Sequence, residues 1–259
     1  MPVLQFLTEL LADFGAQQLI LIWIIVIFSA VLRAFTGFGF ALAAVPAFSL
    51  LMAPTQAVVL SIMLTLAVSL LTLKTFWGQF STRSMLPMIS FSLLGTAIGA
   101  YFLASLSASS FQLLIGLSVI AACAVLTFYR PQHSKPRASI ARMVGLLSGL
   151  MNGFFAIPAP PVVVYAVATQ PSPEKTRALL MSFLLFSASF GFISYSAAGY
   201  VDWSSLWLFI LTFPSMYLGD KLGYRLFKRY GTHLYRRVAL VALFSVGIAT
   251  TGRALWEGV

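Results

Sequence analysis

Acidic residues are scarce. The 259-residue chain holds six Asp and Glu, and none of them lies in the middle of a long apolar run. That leaves no pair of catalytic carboxylates. It also leaves no intramembrane carboxylate for a proton relay or for Na⁺ coupling. Cysteine is nearly absent: one residue, Cys123, excludes a disulfide framework and a cysteine-based metal cluster. Cys123 sits in an apolar run and reads as a small packing residue. No phosphate-binding loop and no nucleophile–base constellation is present, so the sequence calls for no cofactor and no metal. Charged residues of both signs make up only 8%, against about 25% in soluble domains.

What fills the chain instead is apolar: 60% hydrophobic residues and a mean hydropathy of +0.95. A soluble fold cannot hide that much apolar surface, because single cores stop growing at roughly 250–300 residues. The expected class is therefore an all-α polytopic membrane protein. The net charge of +10 does not signal nucleic acid. The basic residues gather in short loops between apolar runs, and no basic stripe alternates with exposed aromatics.

Six uncharged stretches are long enough to cross a bilayer: 57–73, 85–106, 111–129, 178–200, 203–219 and 238–252. A span needs about 20 apolar residues, and the last stretch can be extended by Arg237 and Arg253 reaching outward. Before the first span, Leu4, Leu7, Leu10, Leu11 and Phe14 recur at helical spacing around Glu9 and Asp13. Residues 1–18 carry no Lys or Arg, so they lack the basic start of a secretory signal. They read as an amphipathic helix at the membrane surface.

Two apolar regions are interrupted. Residues 14–52 contain Arg33-Ala-Phe-Thr-Gly-Phe-Gly-Phe40, and residues 143–169 contain Asn152-Gly-Phe-Phe-Ala-Ile-Pro-Ala-Pro-Pro161. Gly and Pro weaken a helix by about 1 and 3 kcal/mol, so both clusters are expected to break helices within the membrane. They fall at corresponding places of a weak internal repeat. Gly39-Phe40 and Pro46 align with Gly153-Phe154 and Pro160; Pro54-Thr-Gln-Ala57 resembles the stretch from Pro173 to Ala178; Gly99 resembles Gly219. The expected organisation is a first repeat over 1–129, a basic linker over 130–142 and a second repeat over 143–259.

Charge counting decides between two topologies. If each interrupted region is one continuous span, the repeats are parallel and the basic segments after Gly219 face outside. If each is a V that enters and leaves on one side, each half has a V plus three spans and the halves are inverted. The segments 74–83, 130–142, 175–177 and 221–237 then all face the cytoplasm, with 14 of the 16 basic residues. The positive-inside rule favours this second arrangement, with both termini outside.

Broken backbone at membrane depth survives only against protein or a water-filled cavity. Paired breaks in inverted halves point to a transporter's midplane site. Half-helices starting after Gly39 and after Gly153 would aim free N–H groups and positive dipole ends inward, which suits an anion. Arg33 lies beside the first break, where an intramembrane charge is expensive and functional by default. Its planar fork suits carboxylate, sulfite or sulfonate oxygens. The candidate substrate-binding set is Arg33, Thr36, Gly37, Phe38, Gly39, Phe40, Asn152, Gly153, Phe154 and Phe155. Other readings stay open: the glycines permit tight packing, Arg33 reaches an interface, and Thr36 and Asn152 serve broken backbone. His133 and His233 sit in basic loops and read as solvated. Asp220-Lys221 reads as a local ion pair, with a gate as the other option.

The run Thr36-Gly-Phe-Gly-Phe-Ala-Leu-Ala-Ala-Val-Pro46, followed by Pro54-Thr-Gln-Ala57, resembles the sulfite exporter TauE/SafE family of membrane transporters. In the second half the likeness rests on Gly145-Leu-Leu-Ser-Gly-Leu-Met-Asn-Gly153 and on to Pro160. It covers nearly the whole chain as two copies. Phe154, Phe155 and Ala156 depart from the family pattern, standing where small residues are common, which would reshape a pocket. The resemblance implies export of sulfite, sulfonates or related organic anions.

Together these readings give a secondary transporter of a small organic or sulfur-containing anion in a bacterial plasma (inner) membrane. Its expected partners are the anion and the lipid bilayer, with a homodimer left open. The alternative is a membrane-embedded enzyme or assembly factor acting on a lipid or thiol. That would need an acid/base pair or metal ligands at mid-depth, which the chain lacks. A permanent channel fits interrupted inverted repeats less well than alternating access. Single cysteines in 130–142 and 221–237 should react only with reagent added from the cytoplasmic side. Labelling of 221–237 from outside would establish the parallel arrangement.

Overall fold

A computed structural model describes residues 2–76, 78, 82–128, 137–230 and 232–256. The described residues form ten α-helices, one 3₁₀ turn and no strand: α1 (Pro2–Thr36), α2 (Phe40–Phe48), α3 (Pro54–Leu71), α4 (Thr82–Leu103), α5 (Ala108–Phe128), α6 (Ala138–Phe155), α7 (Ala159–Thr169), α8 (Pro173–Ala197), α9 (Trp203–Tyr230) and α10 (Thr232–Trp256). Away from their ends, helices satisfy their backbone groups internally, which an apolar surrounding demands. Helix α1 is kinked at Gly15, whose φ of 64° and ψ of 149° leave the helical region. The residues before that kink form a separate helical piece, as expected from their spacing.

Among the described residues six helical segments are long and apolar enough to cross a membrane: Gly15–Ala34, Pro54–Leu71, Met85–Leu103, Ala108–Val125, Ala138–Phe155 and Glu174–Ala197. This is a multi-pass membrane protein. Four of these segments coincide with expected spans. The other two are the longer arms of the interrupted regions. The arms are therefore unequal: α6 has 18 residues, while α2 has 9 and α7 has 11. The expected spans at 203–219 and 238–252 lie in α9 and α10. Helix α9 runs on past Gly219 through Asp220, Lys221, Arg225, Lys228 and Arg229, which makes it more polar than the six.

Contacts fix which helix ends share a level. At one end, the Gln18 amide donates to the Leu51 carbonyl, Gln112 to Ser49 O and Arg253 to Leu50 O. Gln18, just past the Gly15 kink of α1, thus neighbours the residues that follow α2, so α2 leaves from the end where the apolar arm of α1 enters. At the other end, Arg33 near the end of α1 meets Thr72 after α3 and Asp220 on α9, and the neighbouring Ala34 carbonyl accepts from Arg177 near the start of α8.

Glycine lets the helices approach closely. A Cβ on Gly145, Gly149 or Gly153 of α6 would lie 2.2, 2.2 or 2.3 Å from the carbonyls of Met88, Ser92 and Thr96 on α4. The matching order shows that α4 and α6 run in parallel. Helices α1 and α9 do the same, with Gly219 on Ile27 and Gly223 on Val31. Helices α5 and α10 cross where Gly116 and Gly247 face each other. Exchanging the first five helices with the last five returns the same principal pairings: α1–α9 becomes α6–α4, α2–α3 becomes α7–α8, and α3–α8 and α5–α10 return to themselves. Large apolar side chains such as Ile20, Ile24, Leu94, Ile193 and Ile248 are exposed, which suits a lipid-facing surface.

Carbonyl-to-Cα approaches of this kind leave no room for a methyl group. Gly149→Ala should lower the melting temperature in detergent, with an overpacking cost of about 1–3 kcal/mol. Gly252→Ala, with nothing within 4 Å of the new Cβ, should leave it unchanged or raise it, because Ala is the better helix former.

Candidate functional site

The first break is Gly37-Phe38-Gly39. Gly37 and Gly39 have φ of 77° and 104°, in the left-handed region open mainly to glycine. The second break is Ala156-Ile157-Pro158, and it begins with Ala156 at φ 55°. This corrects the expected position. Helix α6 does not end at Gly153 but continues to Phe155, and the following half-helix starts at Ala159. Gly153 is committed to the contact with α4. The end of α6 is closed instead by bonds from the Ala156 and Ile157 N–H groups to Asn152 O and Met151 O, the pattern of a left-handed helix stop.

The register between the two halves shifts accordingly. Thr36 now pairs with Phe155, Gly37 with Ala156 and Phe40 with Ala159, and the same spacing pairs Pro54 with Pro173, the first residues of α3 and α8. The alignment of Gly39 with Gly153 is replaced. On the fourth helix of each half, Gly95 approaches Leu146 O as Gly219 approaches Ile27 O. That pairs Gly95 with Gly219, in place of Gly99 with Gly219.

The two breaks enclose one small cavity. It is lined by Arg33, Phe38, Gly39, Phe40 and Leu42 from the first half-site and by Ala156, Ile157, Pro158 and Ala159 from the second. Ile62 and Thr65 of α3 and Leu184 and Ala188 of α8 close its sides. Its volume of about 20 Å³ holds about one water molecule, less than a four-heavy-atom oxyanion needs. Of the expected site residues, Arg33, Phe38, Gly39 and Phe40 line it. Gly37 lies under the Arg177 side chain, 3.1 Å from where its Cβ would be. Asn152, Gly153, Phe154 and Phe155 do not line it; Phe155 packs on Phe111 with centroids 5.6 Å apart. The Thr36 side chain lies outside the described residues.

Arg33 is 5% exposed and ion-paired to Asp220 at 3.1 Å. Its second nitrogen donates to Thr72 Oγ1 at 3.2 Å, and Thr72 passes the chain on to Val68 O. The expected local pair of Asp220 with Lys221 is thus replaced by a pair across the fold. Lys221 lies over the Tyr217 ring, 4.4 Å from its centroid. Arg177 is the other cation beside the first break, reaching Ala34 O at 3.5 Å. The short basic segment 175–177 is expected as a loop, but α8 begins at Pro173 and carries Arg177 within its first two turns. The signal for Asp220 was available: it is an acid at the edge of an apolar helix, in a chain with a single intramembrane base.

Asn152 occupies the place in the second half that Arg33 occupies in the first. It is fully buried, and its amide donates to Thr96 Oγ1 at 3.2 Å and to Ser187 O at 2.9 Å. In the corrected register Thr96 pairs with Asp220. The Arg33–Asp220 ion pair and the Asn152–Thr96 hydrogen bond are therefore corresponding contacts, one charged and one neutral. Tyr195 donates to Asn152 O and Gly153 O at 2.6 and 3.0 Å, which satisfies carbonyls at the end of α6. Among the described residues no three His, Cys, Asp or Glu side chains converge to hold a metal.

Apolar helices wrapped around two facing breaks define a polytopic membrane transporter. A family model described as Sulfite exporter TauE/SafE matches residues 22–250. The chain belongs to that family, which comprises membrane transporters for sulfite export and not enzymes. No curated protein and no solved structure matches it significantly.

Removing one partner of a buried ion pair strands the other, at roughly 3–5 kcal/mol. Asp220 keeps 26% of its side chain exposed, so the lower end applies. Arg33→Met and Asp220→Leu should each lower thermal stability in detergent, and the double variant should recover most of the loss. Additive losses would show that the pair contributes nothing jointly.

Proposed function

We propose that this protein carries a small oxyanion, sulfite or a similar sulfur or carboxylate anion, outward across a bacterial plasma membrane by alternating access. The observation that carries the reading is the meeting of both breaks around one cavity with Arg33 in its wall. Helix α2 starts at that cavity with no side-chain cap, so its first N–H groups and positive dipole end face the space. In this reading the halves form an inverted repeat of 1–129 and 143–259 joined by the basic linker. The exchange symmetry of the helix pairings and the opposite ends from which the α1–α2 and α6–α7 pairs enter support it. The end that holds Arg177, Thr72 and Asp220 is the basic end and faces the cytoplasm under the positive-inside rule.

The ion pair gives binding a way to change the fold. An oxyanion entering beside Arg33 competes with the Asp220 carboxylate for the same guanidinium. Binding then loosens a contact between α1 and α9 on the basic side, while the corresponding Asn152–Thr96 contact is indifferent to charge. Differential contact of this kind is what a ligand needs in order to shift a two-state equilibrium. The small cavity described above belongs to a closed state, which widens when either clasp opens.

Proteoliposomes containing the full chain should take up radiolabelled sulfite, and Arg33→Ala should reduce uptake at least tenfold at equal protein level. Phe38→Cys and Ile157→Cys should both be protected from thiol reagent by sulfite. Absence of uptake together with absence of protection would refute oxyanion transport. Protection of one position alone would refute a site shared by the two breaks.

A further inference from the structure

Arg177 carries a charge that the fold leaves without a counter-charge. Its side chain crosses from α8 onto the first break: a Cβ on Gly37 would lie 3.1 Å from Arg177 Cγ and 3.4 Å from its Nε. A guanidinium offers several N–H donors in a fixed fork. Among the described residues Arg177 uses one of them, in a bond to Ala34 O at 3.5 Å. That is long beside the roughly 2.7–2.9 Å of a charge-assisted bond. Glu174, one turn earlier on α8, is exposed and makes no ion pair with it among the described residues. The Asp220 carboxylate is taken by Arg33. Capping the end of α1 accounts for the bond to Ala34 O and leaves the other donors idle.

Two cations therefore share one acid at this end of the bundle. Arg33 and Arg177 are close enough to repel each other, so the group of three has a net positive charge. Their access to solution differs. Arg33 is 5% exposed, whereas Arg177 is half-buried, and an anion arriving from water meets Arg177 first. The break joins the two places: Gly37 lies under Arg177, and the next residues, Phe38 and Gly39, line the cavity with Arg33.

The other half has no counterpart. In the register that pairs Pro54 with Pro173, Arg177 falls on Val58, which is fully buried. Arg33 falls on Asn152 and Asp220 on Thr96, both neutral. The charged group thus belongs to one face alone.

We infer that Arg177 is a receiving residue: it takes the anion from the cytoplasmic solution over Gly37 and passes it to Arg33 in the cavity wall. The outer face has no such step. An anion arriving between the two guanidinium groups relieves their repulsion, so the transfer from one to the other proceeds without a stretch free of positive charge. This rests on the reading of the cavity as an oxyanion site and adds to it an entry residue and a difference between the two faces.

Sealed membrane vesicles of both orientations, containing the full chain, test it through uptake of radiolabelled sulfite from either face. Arg177→Met keeps a stem to pack on Gly37 and removes the charge. It should raise KM at the cytoplasmic face about fivefold, the upper end for a solvent-accessible ion pair, and leave KM at the outer face within about twofold. KM of the unaltered protein at the cytoplasmic face should rise with ionic strength, and less steeply in the variant. Arg177→Lys should restore most of the loss, and Lys175→Met, at an exposed neighbour, should cause none. Should Arg177→Met fail to fold, Arg177→Gln makes the same change of charge. A residue that only caps α1 would lower the melting temperature in detergent and leave KM and its salt dependence untouched, which overturns the inference. An equal rise of KM at both faces, or an equal effect from Lys175→Met, overturns it too. Absence of uptake by the unaltered protein overturns the oxyanion reading together with this one; uptake with KM unmoved by Arg177→Met overturns this one alone.

Discussion

Two short stretches of open backbone, 37–39 and 156–158, set the terms for the rest of this protein. Lipid offers no hydrogen bonds, and an unsatisfied peptide group in it costs several kcal/mol. Both stretches must therefore be enclosed by protein. The enclosure comes from α3 and α8, which flank the breaks, and from the parallel pairs α1–α9 and α4–α6, which bring each long arm against a helix of the opposite half. Close approach needs a surface without side chains, which explains why glycine recurs every fourth residue at 145, 149 and 153 and at 95 and 99. Packing of this kind replaces the hydrophobic effect, which gives helices no reason to associate within lipid.

The same enclosure defines where chemistry can occur. Once helix ends meet inside the bundle, their free N–H groups have nowhere to go but into the shared cavity. Whether they remain available depends on single residues: glycine before α2 leaves them open, and proline at 160 and 161 removes them from α7. A near-symmetric scaffold thus acquires unlike halves without any change of architecture. The contact between Arg33 and Asp220 follows the same logic. It occupies the place that an asparagine and a threonine occupy in the other half, so one clasp responds to charge and the other does not.

Much of this was legible from residues alone. Scarcity of charge gave the membrane class, and the clustering of Gly and Pro gave both breaks. Arg33 stood out because nothing else charged lies inside an apolar run. The second break was misplaced by a few residues because Asn152-Gly153 looks like a helix stop in sequence. Its glycine is in fact used for contact with α4, and the left-handed stop falls on Ala156, a residue with no such preference. Asp220 was assigned to its neighbour Lys221 because proximity along the chain is visible and proximity across 187 residues is not. Arg177 was hidden for a similar reason, since only the fold lays its side chain on Gly37.

The long separation of Arg33 from Asp220 also has a consequence for biosynthesis. Translation at about 5–20 residues per second delivers Asp220 on the order of 10–40 s after Arg33. Through that interval Arg33 sits in an apolar helix at a cost of at least about 2.5–3.5 kcal/mol, and α1 lacks the α9 surface that its small residues fit. The first half of the chain is therefore an incomplete object while the ribosome is still at work. Its arm can settle only when the last third of the protein enters the bilayer, so a truncated product ending before α9 would leave α1 as the segment most exposed to membrane quality control.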